Sequence, residues 1–185
     1  SAVPLTSDPE LEIHARFSPD GQRVVFIKRD DRQSQLVIQD VATRARKVVL
    51  SAEAMLASPV FFPDGKRIAY FRRDIDGSCG IFARDVDGAL ESRIVACNGT
   101  LRAHFDISAD GKWLAYASAP DRQMPSAIQL LDLLDNSNRR LTLPQPGDGE
   151  DSAPRFSPDS RRVAFFRGTQ SHSSVWLAGV QPPHA

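Results

Sequence analysis

Two cysteines, two tryptophans and two tyrosines are all that this 185-residue chain carries of those types. The cysteines, Cys79 and Cys97, form no Cys-x-x-Cys, which argues against a zinc ribbon or a thioredoxin-like redox motif. Charge of one sign is also lacking: 23 Lys and Arg balance 23 Asp and Glu. That leaves no basic footprint for nucleic acid and no membrane surface read by charge alone. No apolar run approaches the ~20 residues that span a bilayer, and no charged-then-apolar N-terminal signal is present. There is no Gly-x-Ser-x-Gly for a hydrolase nucleophile, no Gly-rich phosphate loop and no His-x-x-x-His. Helical periodicity is missing too; Glu53 to Leu56 has room for one turn at most. What remains is a globular composition, 41% hydrophobic and 25% charged, of a length that fits one domain.

What the chain has instead is a phrase written four times. It reads Phe17-Ser18-Pro19-Asp20-Gly21, Phe61-Phe62-Pro63-Asp64-Gly65, Ile107-Ser108-Ala109-Asp110-Gly111 and Phe156-Ser157-Pro158-Asp159-Ser160. The shared Asp recurs after 44, 46 and 49 residues (20 to 64, 64 to 110, 110 to 159). Each phrase precedes a short apolar run: Val24–Ile27, Ile68–Phe71, Leu114–Ala117 and Val163–Phe166. A repeat of this length is one supersecondary unit that needs its neighbours to bury its faces.

One repeat reads as four antiparallel strands. In the second, Pro59-Val60-Phe61 is a β-type run and Phe62-Pro63-Asp64-Gly65 a tight turn, with Pro fixing φ and Gly accepting φ > 0. Ile68–Phe71 and Ile81–Val86 are the next strands. Asp87-Gly88 signals a hairpin into Arg93–Ala96. Third strands elsewhere are Leu36–Val41, Ile128–Leu133 and Val175–Val180; fourth strands are Lys47–Leu50 and Arg140–Leu143. The second strand is apolar at every position, whereas a half-exposed strand alternates. Both sheet faces should therefore be covered, which predicts an all-β propeller of four-stranded antiparallel blades. The repeats fall at roughly 10–50, 54–98, 100–144 and 149–181 of a single domain over 1–185. Phe26, Tyr70, Tyr116 and Phe165 fill one slot of this frame, and an aromatic ladder of that kind reads as packing.

The phrase F-S-P-D-G-(K/R/Q)-R-(I/V)-A-(F/Y), followed by a polar loop and an apolar strand ending in Asp, resembles the TolB-type propeller repeat. That family is related to WD-repeat propellers and lacks their Gly-His and Trp-Asp signatures. The resemblance covers roughly residues 3 to 180. The third repeat departs from it at Ile107 and Ala109. The fourth departs at Ser160, where the turn Gly is replaced, and at Gly179, where the strand-end Asp is missing. The turn carboxylates read as caps of their own backbone rather than as a metal site.

The segment at residues 2–6 resembles a fourth strand, and the last repeat stops after its third. A splice of the two would remove exposed sheet edges. The chain opens mid-pattern and is expected to belong to a longer one. It is either a closed four-blade ring or part of a larger ring, completed by further blades or by a second copy as a homodimer. Cys79 and Cys97 flank the Asp87-Gly88 hairpin at equal distances, so they face each other across it. They form either a disulfide, which implies an oxidising compartment, or two buried thiols in a cytosolic protein.

His14 and His104 stand six residues before the turn Asp, a slot that Ser58 and Ala153 fill in the other repeats. Arg16, Asp106 and Arg155 share a slot two residues later. If these slots face a central channel, the histidines could bind a metal, sense pH or hold a ligand, and Arg16 and Arg155 could hold an anion or a partner carboxylate. His172 and His184 lie in a loop and a tail. The expectation is a non-enzymatic binding domain without cofactor or metal. Its partner is a protein, peptide or small ligand at the channel face, with no nucleic-acid contact by this chain. The resemblance implies a periplasmic location, in the sensor portion of a membrane-bound winged-helix transcriptional regulator. The other expectations are the gating propeller of a prolyl-oligopeptidase-like peptidase, a free TolB-like envelope protein, or a cytoplasmic protein.

Overall fold

Each repeat is organised by its turn. Ser18 Oγ donates to Asp20 Oδ1 and accepts from Arg23 N at 2.9 Å, while Asp20 Oδ1 accepts from Gln22 N at 3.0 Å. The same set recurs at Ser108, Asp110, Lys112 and Trp113, and at Ser157, Asp159, Arg161 and Arg162. In the second repeat Phe62 replaces the serine, and Asp64 caps Lys66 N at 2.8 Å instead. The turn carboxylates therefore cap their own backbones. The last turn position is left-handed in all four repeats: Gly21 (φ 70), Gly65 (φ 65), Gly111 (φ 72) and Ser160 (φ 60).

A computed structural model describes residues 2–97, 100–145, 147–169 and 171–181. His184 lies outside these. The described residues hold strands and no helix. They are β1 (Leu11–Phe17), β2 (Arg23–Arg29), β3 (Ser34–Asp40), β4 (Arg46–Ala52), β5 (Met55–Phe61), β6 (Arg67–Arg73), β7 (Cys79–Asp85) and β8 (Glu91–Ala96). They continue as β9 (Thr100–Ile107), β10 (Trp113–Ala119), β11 (Ala127–Asp132), β12 (Asn138–Arg140), β13 (Glu150–Phe156), β14 (Arg162–Gly168) and β15 (Ser173–Gly179). They build four antiparallel meander sheets, ordered β1-β2-β3-β4, β5-β6-β7-β8, β9-β10-β11-β12 and β13-β14-β15. This all-β, propeller-like arrangement is the one that the repeat predicts.

Two units divide the chain, residues 1–96 and 97–185. In the first, Val25, Ile27, Leu36 and Ile38 of the first sheet pack against Leu56, Phe61, Ile68 and Tyr70 of the second. Each such side chain contributes about 1.5–3 kcal/mol on burial. In the second unit, Ala115, Ala117, Ile128 and Leu130 of the third sheet pack against Val163 and Phe165 of the fourth. The aromatic slot is buried in every sheet, so the ladder is packing.

The structure departs from the sequence expectation in four places. Glu53 and Ala54 form a bend leading straight into β5, not a helical turn. β12 ends at Arg140 rather than running to Leu143, because Thr142 Oγ1, not a backbone carbonyl, accepts from Ile128 N at 2.8 Å. The fourth sheet has three strands among the described residues, as the last repeat predicts, but residues 2–6, expected as a splice strand, carry no strand. Instead Leu5 packs on Val24, Phe26 and Val37 of the first sheet. Its carbonyl accepts from Gln39 Nε2 at 2.9 Å and Arg44 Nη1 at 2.8 Å. Finally, β14 is covered on one side only: Val163 and Phe165 are buried and Phe166 is exposed.

Both cysteines are disulfide-bonded. The register Gly80↔Ala96 between β7 and β8 sets position 79 opposite position 97, as the hairpin symmetry predicts.

Candidate functional site at the first strands

The first strand of each sheet lies at a sheet edge. Within the two units these edges come together, β1 beside β5 and β9 beside β13. Each edge strand carries an irregularity where the sequence places its candidate residues. In β1 the pair His14 and Ala15 faces Phe26 alone; in β5 Ser58 and Pro59 face Tyr70; in β13 Ala153 and Pro154 face Phe165. These are one-residue β-bulges, which bend an edge strand and re-aim its side chains. Pro59 and Pro154 fit there because a bulge residue owes no hydrogen bond to the ladder. The bulges hold non-glycine residues in the left-handed region: His14 (φ 60), Ser58 (φ 49) and Ala153 (φ 48). Such conformations cost of order 1–3 kcal/mol and cluster at functional sites.

His14 is exposed, and its Nδ1 accepts from Ser58 N at 3.2 Å. An accepting Nδ1 carries no proton, so the neutral ring bears its proton on Nε2. Arg16 is half-buried on the same strand. His104 and Arg155 lie in the second unit. Arg155 Nη1 donates to the carbonyls of Pro154 at 2.7 Å and Phe105 at 3.2 Å, and Asp106 Oδ2 accepts from Phe156 N at 2.9 Å. Arg155 and Asp106 thus lace β13 to β9. His104 is exposed and differs from His14 in its backbone. In β9 three residues, Arg102 to His104, face Ala117 alone, and His104 is not among the residues of positive φ.

That wider irregularity opens a cavity of about 570 Å³ in the second unit, lined by Arg102, His104, Glu150, Ser152 and Thr169 among others. Arg102 pairs with Glu150 and reaches Ser126 Oγ at 3.4 Å. An adjoining depression of about 560 Å³ shares Gly149, Glu150 and Thr169, and adds Arg122, Met124 and Pro144. The wall is mixed: an ion pair and an imidazole on one side, apolar Met and Pro on the other. It offers hydrogen bonds and an apolar shelf to a chain-like ligand. Sequence reasoning missed Arg102, Glu150 and Ser152. Their only signal was proximity to the slot, because the extra residue of β9 is a pairing property.

Below the cavity Asp151 is fully buried. It accepts from Arg167 Nε at 2.7 Å and Nη2 at 2.9 Å, and from Thr142 Oγ1 at 2.5 Å. The Asp151 carboxylate raises the pKa of Arg167. The guanidinium also lies over Trp176, 4.6 Å from the ring centre.

The model of the TolB beta propeller domain family matches residues 2–178. The chain belongs to this family. Among curated relatives, the Tol-Pal system protein TolB of Wolinella succinogenes is 23% identical over 175 residues, 92% of this chain and 40% of that protein. The probable dipeptidyl-peptidase 5 of Emericella nidulans is 36% identical over 73 residues, 34% of this chain and 10% of its own length. This TolB-family chain therefore spans about two fifths or less of those relatives. Among solved structures, TolB from Acinetobacter baumannii superposes with a TM-score of 0.81 at 20% identity, over 95% of this chain and 43% of that one. A Mycobacterium tuberculosis puromycin-hydrolyzing peptidase superposes at 0.75 and 13% identity, over 96% of this chain and 28% of that one.

Proposed function

We propose that this chain is a non-catalytic interaction module of the bacterial envelope. It binds a protein or peptide at the first-strand edges, through His14 and Arg16 in the first unit and through His104 and Arg155 in the second. The observation that carries the reading is the family match over nearly the whole chain, joined to bulged edge strands that present these side chains. The disulfide supports an oxidising compartment such as the periplasm. In a longer protein the module acts as a periplasmic sensor portion, for instance of a membrane-bound transcriptional regulator, or as part of a TolB-like envelope protein. The test is retention of a defined partner from a bacterial periplasmic extract by the immobilised chain. Arg16→Ala with His104→Ala lowers retention about tenfold while circular dichroism stays unchanged. Retention indifferent to both substitutions sinks the channel-face assignment.

A second reading is favoured by the similarity to the two peptidases: the gating propeller of a serine peptidase. It predicts that the chain alone cleaves no peptide, and that it binds a separate hydrolase domain carrying Gly-x-Ser-x-Gly.

A further inference from the structure

In the second unit the cavity beside His104 and the depression that adjoins it form one trough, and its walls are pinned. Asp121 Oδ1 accepts from Gln123 N at 2.8 Å and Met124 N at 3.0 Å, which fixes the loop that carries Arg122. That loop is tied to β13, because the carbonyl of buried Ser126 accepts from Asp151 N at 2.8 Å. The Asp151 side chain is held in turn by Arg167 and Thr142. The floor is bare backbone: a Cβ on Gly149 would lie 2.2 Å from the carbonyl carbon and oxygen of Gly168, so no side chain can stand there. The trough is therefore preformed, and a ligand does not have to order it.

Its polar groups are unbalanced. Among the described residues Glu150 is the only carboxylate that lines it, against Arg102, Arg122 and His104. Glu150 is engaged by Arg102 Nη2, and Arg102 Nε reaches Ser126 Oγ. Arg102 Nη1 has no partner among the described residues. Arg122 is exposed and makes no ion pair among them either. Donors for an anion thus outnumber acceptors, and a guanidinium fork matches a carboxylate. Met124, 51% exposed, makes the other wall with Pro125 and Pro144. Among the described residues no aromatic side chain lines the trough, so a nucleobase finds no stacking platform. The corresponding cleft of the first unit, about 360 Å³, has no such excess of cations: Asp30, Asp31, Glu53 and Asp74 share it with three arginines.

We propose that this trough binds an extended peptide by a carboxylate with an apolar side chain next to it. Arg102 and Arg122 hold the carboxylate, and the apolar side chain lies on Met124 and Pro125. An Asp or Glu side chain and a free C-terminus share this chemistry. The assignment rests on the interaction-module reading and names the ligand of its second-unit half.

Titration of the isotope-labelled full chain with two pairs of short peptides tests it, read by amide chemical shifts. Acetyl-Ala-Ala-Leu presents a C-terminal carboxylate, and acetyl-Ala-Leu-Asp-Ala-amide a side-chain one. Acetyl-Ala-Ala-Leu-amide and acetyl-Ala-Leu-Asn-Ala-amide are their neutral counterparts. At least one acid shifts the amides of Ala103, Gly149 and Thr169 saturably, and its neutral counterpart binds about tenfold or more weakly. Which acid binds identifies the source of the carboxylate. Arg122→Gln, which removes no ion pair of the described residues, weakens the acid about tenfold and leaves the neutral peptide unchanged. Met124→Ser weakens both members of the pair alike. The assignment is overturned if neither acid moves those amides, if the neutral peptides bind as well, or if Arg122→Gln binds the acid like the parent. None of these outcomes bears on retention of a periplasmic partner, which Arg16 and His104 decide, so the two readings fail separately.

Discussion

Ser160 shows how a single residue settles two opposed terms. It occupies a left-handed turn position that the other repeats give to glycine, at a cost of about 1–2 kcal/mol for an L-residue. It offsets that cost with its hydroxyl, which accepts from Asp110 N at 3.2 Å. Ser160→Ala keeps the strain and loses the bond, so stability falls by about 1 kcal/mol. Ser160→Gly loses both and leaves stability within about 0.5 kcal/mol of the parent. Urea midpoints of the two variants check the difference; equal losses would refute it. Asp151 is the other decisive residue. Its fully buried carboxylate holds Arg167, which is itself nearly buried. Asp151→Ala leaves that guanidinium only the more exposed Asp148, 3.5 Å away, and costs about 3 kcal/mol in chemical denaturation. A loss of the size seen for surface pairs would mean that water reaches Arg167.

Among the elements, the β7–β8 hairpin is the one closed covalently. The Asp-Gly signal and the symmetric cysteines made it legible in the sequence, and the register places them across from each other. Replacing both cysteines by serine releases the hairpin's open end and costs about 2–4 kcal/mol. A reducing agent should lower the denaturation midpoint of the parent by the same amount and leave the double variant unmoved. The edge strands were less legible. Pro59, read in the sequence as part of a plain β-type run, and Pro154 are compatible only with an edge or a bulge, and Ala15 carries no such constraint. The extra residue of β9 follows from how its ends pair with β10, and pairing is not written in the residues of one strand. That is why the cavity beside His104 was missed while His104 itself was found.

For the molecule as a whole, acid is the informative stress. Asp20 and Asp159 are held below the ordinary 3.8 chiefly by their Ser18 and Ser157 hydroxyls, Asp40 chiefly by the backbone of Thr43, Asp30 by that of Arg32, and Asp8 by Lys28. A folded-state pKa below the unfolded one means that the folded chain binds fewer protons there. The stabilisation is complete about one unit above that unfolded value, near pH 5, and is lost as pH falls through the depressed values. Urea midpoints should hold steady from neutrality to about pH 5 and drop below about pH 3.5. A decline that begins near neutrality would point to histidine instead. Because these carboxylates reach solvent and are spread over the first and fourth sheets, the loss accumulates in small steps rather than at one switch.

The residues alone determined the turns, the strands between them and the fold class. Proline, aspartate and glycine act through local dihedrals and short-range hydrogen bonds, and fully apolar second strands require cover on both sides. Tertiary structure decided what depends on partners distant in the chain. Residues 2–6 match a strand pattern, yet Leu5 finds its burial on the first sheet, where Gln39 and Arg44 hold its carbonyl. Val175 and Leu177 read like Ile81 and Ala83, their buried equivalents by register in the second sheet, yet they are open, because burial belongs to what packs against a residue rather than to the residue itself.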